Sequence, residues 1–505
     1  MIRELSCIVA TLILATPNIG VAGPNPQAAL VKEHSRVYSI RAKQEFNRGL
    51  LYLFAFNEAE ARQIFASAEA RDPSDPLPYV FHGLSFVLDT NQPTTVYAEQ
   101  QARDDVHIMQ RRASPKTRLE KLWYDAAVKR FVAENPDAGW SAFADQLAAH
   151  ADDTRDATVA TVEAYALYHL RRSAAASGRI RRLLNTAVTL DPKNVGARHL
   201  RIHFAIRSGD PPDITDAVFF SKLDVALGCS HLLHMPSHVF VRTGEYGKSI
   251  LANQRAIAND EQYFALGRSP GQRAMLDYHD HLIEFLAYSS IAIGDKQKAF
   301  RSLYSTHDTT LASRLLIRLG KWFDAIGSAN GDPFVTAYGL AKVRQARLSE
   351  SVAKSFLANA DVNGITEVEQ HLLRAELKHL RKDEHSRLSE LFRAYRGWLK
   401  LNDEIEPMWW CSPGEEYAYA LRSQHRYDEA LRVLRTIDVR YPKQRSVRSA
   451  IVATERDTPT SAHDRIGDRY HVSVRVGFFS RSRTVDDDVP RVRFEKRDDV
   501  VGGVE

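Results

Sequence analysis

The chain has 505 residues, of which 44% are hydrophobic, so it can bury a sizeable core and hold several domains or one long array. Its 68 lysines and arginines exceed its 63 acidic residues by a formal charge of only +5, and the basic residues form no clustered stripe. Because nucleic-acid binding depends on concentrated positive charge, the composition gives no reason to expect a nucleic-acid partner.

Residues 1–23 have the pattern of an export signal. Arg3 precedes an apolar run over residues 7–15, and small residues suited to cleavage follow near Ala22. The run is short and is followed by Pro17, which makes it a poor membrane span, and no later apolar stretch approaches the ~20 residues that spanning requires. We therefore expect an exported protein, periplasmic or secreted, without a transmembrane segment.

An internal repeat is the main signal for the fold. Small, aromatic and proline residues recur at the spacing of the tetratricopeptide (TPR) signature, namely Gly49, Tyr52, Ala61, Phe65, Ala68, Pro73 and Gly83. The small residues let two antiparallel helices approach closely, the aromatic residues fill the space between them, and the proline ends the second helix. The segment resembles a TPR.

The same pattern returns near residues 180–192, 237–256, 294–303 and 418–442, and the intervening segments have apolar residues at helical spacing. Strand signals are almost absent before residue 455. The sequence thus predicts an all-α, TPR-like α-solenoid of antiparallel helix pairs. We expect one array over 30–310, which includes a histidine-rich groove, and further helical repeats over 311–450.

The last segment, 455–505, breaks this pattern. It is rich in mixed charge and has no helical period, and only Tyr470–Phe478 alternates as a strand does. We predict a non-helical tail that is disordered or loosely attached.

Three local clusters of histidine suggest a site. His199 and His203 are four residues apart, as are His234 and His238, so each pair lies on one face of a helix. His231 precedes the second pair, and His281 is followed by Glu284. The question is whether the clusters face one another.

The TPR frame places these clusters on one surface. In TPRs the second, fifth and ninth positions of the first helix line the concave groove, and the clusters occupy such positions in three consecutive repeats. The candidate groove residues are His199, His203, His231, His234, His238, Arg242, His281, Glu284 and Tyr288. Pro236 weakens this alignment, because a proline in the first helical turn would put His231 and His234 before the helix.

The whole run also resembles a poorly characterised family of bacterial, often exported, TPR-like proteins. The matching elements are His199-Leu-Arg-Ile-His203, His234-Met-Pro-Ser-His238 and His281-Leu-Ile-Glu284 followed by Phe285-Leu286. The likeness covers roughly residues 40–310 and, more weakly, 400–445. Relatives usually carry an acidic residue where this chain has Ile206. Since the family has no settled reaction, the resemblance implies architecture more than chemistry.

Two functions remain open. The first is a binding or scaffold module that holds a protein, peptide or small ligand in the histidine-lined groove. The second is a metal-dependent enzyme, such as a hydrolase or oxidoreductase, because neutral imidazole binds zinc, copper or iron. Its candidate metal ligands are His199, His203, His234, His238, His281 and Glu284. Structural hydrogen bonding is the third reading of the same side chains.

Supporting residues follow from the metal hypothesis. Asp277 and Asp280 could accept the second ring N–H of a ligating histidine, although Asp277 also suits a helix cap. Arg242 could meet an anionic ligand or form a salt bridge between repeats. Trp409 and Trp410 are interpreted as packing between repeats.

Overall fold

The computed structural model describes residues 40–91, 94–133, 135–149, 156–170, 174–267, 272–359, 364–401 and 412–458. The predicted export signal, nearly all of the predicted tail, and Trp409 and Trp410 lie outside these ranges, as does the side chain of Asp277.

The described part of the chain consists of helices joined by short loops and turns. Those before residue 210 are α1 (Ile40–Phe54), α2 (Glu58–Arg71), α3 (Pro76–Leu84), α4 (Val96–Arg112), α5 (Arg118–Val132), α6 (Pro136–Ala148), α7 (Ala157–His169), α8 (Ala174–Leu190) and α9 (Val195–Ser208). Those that follow, up to residue 302, are α10 (Ile214–Lys222), α11 (Ser230–His234), α12 (Pro236–Thr243), α13 (Tyr246–Ala265), α14 (Gln272–Ala292) and α15 (Lys296–Ser302).

The remaining helices are α16 (Thr309–Arg318), α17 (Trp322–Gly327), α18 (Pro333–Lys342), α19 (Ala346–Ala358), α20 (Gly364–Leu380), α21 (Glu384–Lys400), α22 (Pro413–Ser423), α23 (Tyr427–Arg440) and α24 (Arg445–Asp457). Successive helices pack in antiparallel pairs, and the described ranges contain no strand. The predicted all-α, TPR-like solenoid is confirmed.

The first repeat shows why the signature residues have their spacing. A Cβ atom on Gly49 would lie 2.7 Å from Cε1 of Phe65, so only glycine lets α1 approach α2 this closely. Ala61 and Phe65 are fully buried on the facing side of α2. The small residue on one helix and the large ring on the other thus interlock, as the repeat pattern predicts.

The chain stays helical slightly further than predicted. The non-helical tail was expected from residue 455, but α24 continues to Asp457. Arg422 pairs with Asp457 and Arg435 with Glu455, which ties the last turn to α22 and α23. The expectation was wrong for residues 455–457 because these contacts come from residues distant in sequence.

The first repeat also packs onto the middle of the array. The Asn57 side chain donates a hydrogen bond to the Gly228 carbonyl (3.0 Å), and the Tyr263 hydroxyl donates one to Glu60 (2.8 Å). The Tyr278 hydroxyl likewise donates to Asp89 (2.8 Å). Segments about 170 to 200 residues apart are therefore in direct contact. This contact encloses the region that carries the histidines.

None of the described helices combines the length and the apolar character needed to cross a membrane.

Close packing at Gly196 gives a first prediction. A Cβ atom there would lie 2.7–2.9 Å from three atoms of the buried Phe54 ring. Since overpacking a dense interior costs about 1–3 kcal/mol, Gly196→Ala should lower the melting temperature. Gly247, exposed on α13 with no neighbouring atom within 4 Å, is the matched control, and Gly247→Ala should be neutral or slightly stabilising. Equal melting temperatures for the two variants would contradict this packing.

Glu369 on α20 gives a second prediction, on pH dependence. Its carboxylate is buried 2.9 Å from Arg314, and burial raises its pKa from 4.5 to about 7. A raised carboxyl pKa means that the folded state holds the proton more tightly than the unfolded state. The protonated Glu369 carboxyl therefore stabilises the folded state fully below pH about 4.5, and this stabilisation is lost as the pH rises to about 7.

The pKa shift of Glu369 limits its contribution to the free energy of unfolding to roughly 3 kcal/mol, since each pKa unit corresponds to about 1.4 kcal/mol. Glu369→Gln should therefore narrow the difference between the melting temperatures at pH 5 and pH 8. Arg314 keeps Asp332 as a partner at 3.4 Å in the variant. An unchanged pH difference would show that Glu369 ionises normally.

Candidate metal site

Helix α9 presents two of the candidate histidines. It begins at an Asn194 cap, whose side chain accepts a hydrogen bond from the Ala197 amide (2.8 Å), and it ends at Gly209 in the left-handed conformation. His199 and His203 lie between these ends, one turn apart, with their Nε2 atoms 3.0 Å from each other. The predicted shared face of this pair is observed.

Pro236 does not disrupt the second cluster. It is the first residue of α12, but Met235 before it has helical backbone angles (φ −47°, ψ −36°), so the backbone stays helical from α11 into α12. The Nε2 atoms of His234 and His238 are 2.9 Å apart. The expected loss of one-turn geometry is therefore wrong, because proline at a first helical position removes a donor without changing the path of the chain.

The histidines form two groups, in each of which one nitrogen per ring lies within 4.8 Å of the others. The first triad is His199, His203 and His231, and the second triad is His234, His238 and His281.

The Nε2 atoms of the first triad are all close to one another. Its Nε2 atoms are separated by 3.0 Å (His199 and His203), 3.0 Å (His199 and His231) and 3.4 Å (His203 and His231). Three segments of the chain meet here, because Phe56, just after α1, packs its ring against His199 and His203 of α9 and His231 of α11 at centroid distances of 4.6–5.9 Å.

The second triad repeats this arrangement. The ring of His281, on α14, lies 4.8 Å from that of His234 and 5.9 Å from that of His238. Phe285, one turn after His281, packs against all three imidazoles at 4.7–4.9 Å. Each triad thus has its own phenylalanine.

The two triads adjoin each other. The rings of His203 and His238 are 6.0 Å apart, and those of His231 and His234 are 6.1 Å apart. All six rings therefore belong to one continuous imidazole cluster in the interior of the array.

Burial keeps the cluster uncharged. Burial and the neighbouring imidazoles lower the pKa of His199, His231 and His234 well below the ordinary value of 6.5. Burial lowers the pKa of His203 and of His238 to about 3, with further lowering by neighbouring histidines for the first and by Arg242 for the second. At neutral pH these five rings are neutral, and a neutral ring has one nitrogen lone pair to offer.

Asn253, on α13, fixes which nitrogen of His234 has that lone pair. Its amide nitrogen donates to the Ser249 carbonyl and to the Ser237 hydroxyl (both 2.8 Å), so its oxygen must face the ring and accept from Nδ1 of His234 (2.7 Å). The proton is on Nδ1, and the Nε2 lone pair points into the second triad. Such outer hydrogen bonds are typical of metal-ligating histidines.

The buried ring of His199, on α9, also has a partner behind it. Its Nδ1 lies 3.4 Å from the Tyr165 hydroxyl, and its Nε2 faces the first triad.

The other predicted site residues lie at the margin or elsewhere. Glu284 is 4.0 Å from Nδ1 of His281 and does not join either triad, whereas His231, predicted only for the groove, completes the first one. Arg242 acts on the second triad through its charge. The Tyr288 hydroxyl accepts a hydrogen bond from Gln444 (2.7 Å), and its ring packs in a separate apolar cluster.

Asp280 does not hold a histidine in place, contrary to the prediction. Its carboxylate accepts hydrogen bonds from the Thr306 hydroxyl (2.6 Å) and the His307 amide (2.8 Å). That prediction was wrong because Asp280, on α14, contacts the loop that follows α15, a neighbour that local spacing does not reveal.

The imidazoles are mostly buried instead of lining an open groove. His199, His231, His234 and His238 have at most 5% of their surface exposed, while His203 and His281 are half-buried. The first repeat buries them, because its Phe56 packs over the first triad. A peptide lying along the solenoid could therefore reach only the edge of the cluster.

Three contributors were missed in the sequence. Asn253 is 19 residues from His234 and belongs to no motif. Phe56 is more than 140 residues from the histidines that it contacts. Phe285 could have been found, because it is four residues after His281 and so lies on the same helix face.

The fold and the site together define an all-α helical-repeat protein with two adjoining three-histidine clusters in its interior. No family model matches the chain, and the comparison with curated proteins gave no match. Among solved structures, the chain is similar to the TPR domain of P58(IPK), at 14% identity and a TM-score of 0.23 over 82% of this chain and 98% of that one. It is also similar to yeast Tom70, at 11% identity and a TM-score of 0.28 over 85% and 90% of the two chains.

Proposed function

We propose that this chain is a metal-binding protein whose two histidine triads each hold one transition-metal ion. The spacing of the Nε2 atoms in the first triad, 3.0–3.4 Å, is the observation that carries the proposal. Nitrogens that bind one ion tetrahedrally at 2.0–2.1 Å stand roughly 3.3 Å apart. The atoms are therefore already close to the positions that a shared ion requires.

The protonation states support the same function. Ligating imidazoles must be neutral, and burial keeps five of the six in that form. Imidazole donors suit zinc, copper and iron, whereas magnesium and calcium prefer oxygen. A structural role alone explains the burial less well, since three facing Nε2 atoms cannot all pair with one another as donor and acceptor.

A zinc ion held by three protein ligands would have a fourth position for water or substrate, as in catalytic zinc sites. The half-buried His203 and His281 lie on the side from which such a molecule would enter. A hydrolase or oxidoreductase is therefore an extension of the proposal only for a metal that takes this fourth ligand.

Elemental analysis tests the proposal. The protein should be purified without a histidine tag and dialysed, and its transition-metal content measured per chain. Two ions per chain are expected, and none after dialysis against a strong chelator. A metal-free protein that also takes up no zinc, copper or iron on incubation would overturn it.

A binding role is a second candidate, at a different place from the one predicted. An open cavity of about 530 Å³ lies between α14, α16, α22 and α24, with Trp322 and Tyr338 beside Arg318 and Glu415 in its wall. Aromatic rings beside charged groups suit a peptide segment. Titration of a peptide library, followed by Trp322 fluorescence, tests this role, and Trp322→Ala should abolish the binding of any peptide found.

Export is proposed from residues 1–23 alone. Mass spectrometry of the protein recovered from its source cells tests it, since a mature chain beginning near residue 24 is expected and an intact Met1 would overturn it.

A further inference from the structure

The donor set of the two triads narrows the choice of metal, provided that the proposed function holds. Among the described residues, all six converging donors are imidazole nitrogens and none is a carboxylate. Imidazole suits zinc, copper, iron and nickel alike, so the donors alone leave the metal open. Charge and coordination number decide among them.

Charge disfavours a pair of divalent ions. Two such ions would place four positive charges in a buried cluster whose own ligands are neutral, and the desolvation of each uncompensated charge is costly. Arg242 adds positive charge beside His238, while Glu284, 4.0 Å from His281, brings one negative charge at the edge of the second triad. Two monovalent ions halve the charge to be buried.

The adjoining position of the triads strengthens this argument. With rings of the two triads only 6.0–6.1 Å apart, ions in both sites repel each other through a medium of low dielectric constant. Coulomb repulsion scales with the product of the charges, so it is four times smaller for two monovalent ions than for two divalent ions.

The phenylalanine rings limit further ligands. Phe56 and Phe285 each pack on all three imidazoles of one triad and so fill apolar space next to the ligating rings. A three-nitrogen site with an aromatic ring packed on its ligands suits an ion that accepts three ligands, whereas zinc normally requires four.

We propose that the two triads hold a pair of copper(I) ions, one in each triad, shielded from water by Phe56 and Phe285. Copper(I) has the required single charge, accepts three nitrogen donors and binds imidazole. No change of oxidation state is part of this proposal.

The test is an anaerobic competition. Metal-free protein is titrated with copper(I) in the presence of a chromophoric copper(I) chelator, and in parallel with zinc in the presence of a zinc indicator. Two equivalents of copper(I) should move to the protein, and an equimolar amount of zinc should leave most of that copper(I) bound. Displacement of copper(I) from both sites by zinc would overturn the copper(I) assignment and leave the proposed function standing.

Failure to bind either metal would instead overturn the proposed function. Phe56→Ala tests the shield separately, because admission of water should shift the competition towards zinc by at least about tenfold. Phe323→Ala is the matched control, since this ring is 76% exposed on α17 and its loss should leave the competition unchanged. If the two variants give the same copper(I)–zinc competition, the shielding role is wrong. If Phe56→Ala fails to fold, the competition measured on the wild-type protein still decides the metal.

Discussion

His203→Ala and His281→Ala are each expected to reduce the metal content from two ions per chain to one. Each substitution removes one of three ligands from a single triad. Even the loss of an outer hydrogen bond to a ligand costs about 10–100-fold in metal affinity, so the loss of a ligand should cost more. These two histidines are the half-buried members of their triads, so their removal disturbs the core least.

His107→Ala is the control, because His107 is exposed on α4 and belongs to neither triad. It should keep both ions. The double variant with His203→Ala and His281→Ala should bind none while its helical circular dichroism stays unchanged. Full metal content in the double variant would show that the ions are bound elsewhere.

Asp216→Ala is expected to have the largest effect on stability. Asp216, on α10, is fully buried and accepts three hydrogen bonds of 2.6 Å, one from Arg198 and two from Arg201, both on α9. Removing one partner of a buried ion pair leaves charge uncompensated and costs about 3–5 kcal/mol. This network also fixes the orientation of α9, which carries His199 and His203.

Asp210→Ala provides the comparison. Asp210 pairs with Arg181, whose side chain is 51% exposed, and exposed ion pairs contribute about 0–1 kcal/mol. The melting temperature should therefore fall much further for Asp216→Ala than for Asp210→Ala. Similar losses in the two variants would mean that the Asp216 network is no stronger than a surface ion pair.

The repeat architecture could be predicted because the packing of neighbouring helices is encoded locally. Gly49 and Phe65 are 16 residues apart and meet in the interface that their spacing predicted. The one-turn pairs of histidines were predictable for the same reason, since helical periodicity alone sets which side chains share a face.

The surroundings of the histidines could not be predicted in this way. Phe56 reaches the first triad only because the first repeat packs onto the middle of the array, and Asn253 reaches His234 from the next helix. Burial of the histidines follows from those distant contacts. The repeat positions therefore predicted correctly which histidines lie together, but they predicted an open groove where the structure has a buried cluster. Tyr288 shares the groove spacing yet packs in another cluster.

Anomalous X-ray scattering from crystals of the metal-loaded protein tests the central claim most directly. Data collected on both sides of the absorption edge of the bound metal should show two peaks, each about 2.0–2.1 Å from one ring nitrogen of every histidine of one triad. Peaks elsewhere on the chain, or none within the two triads in fully loaded protein, would contradict the account.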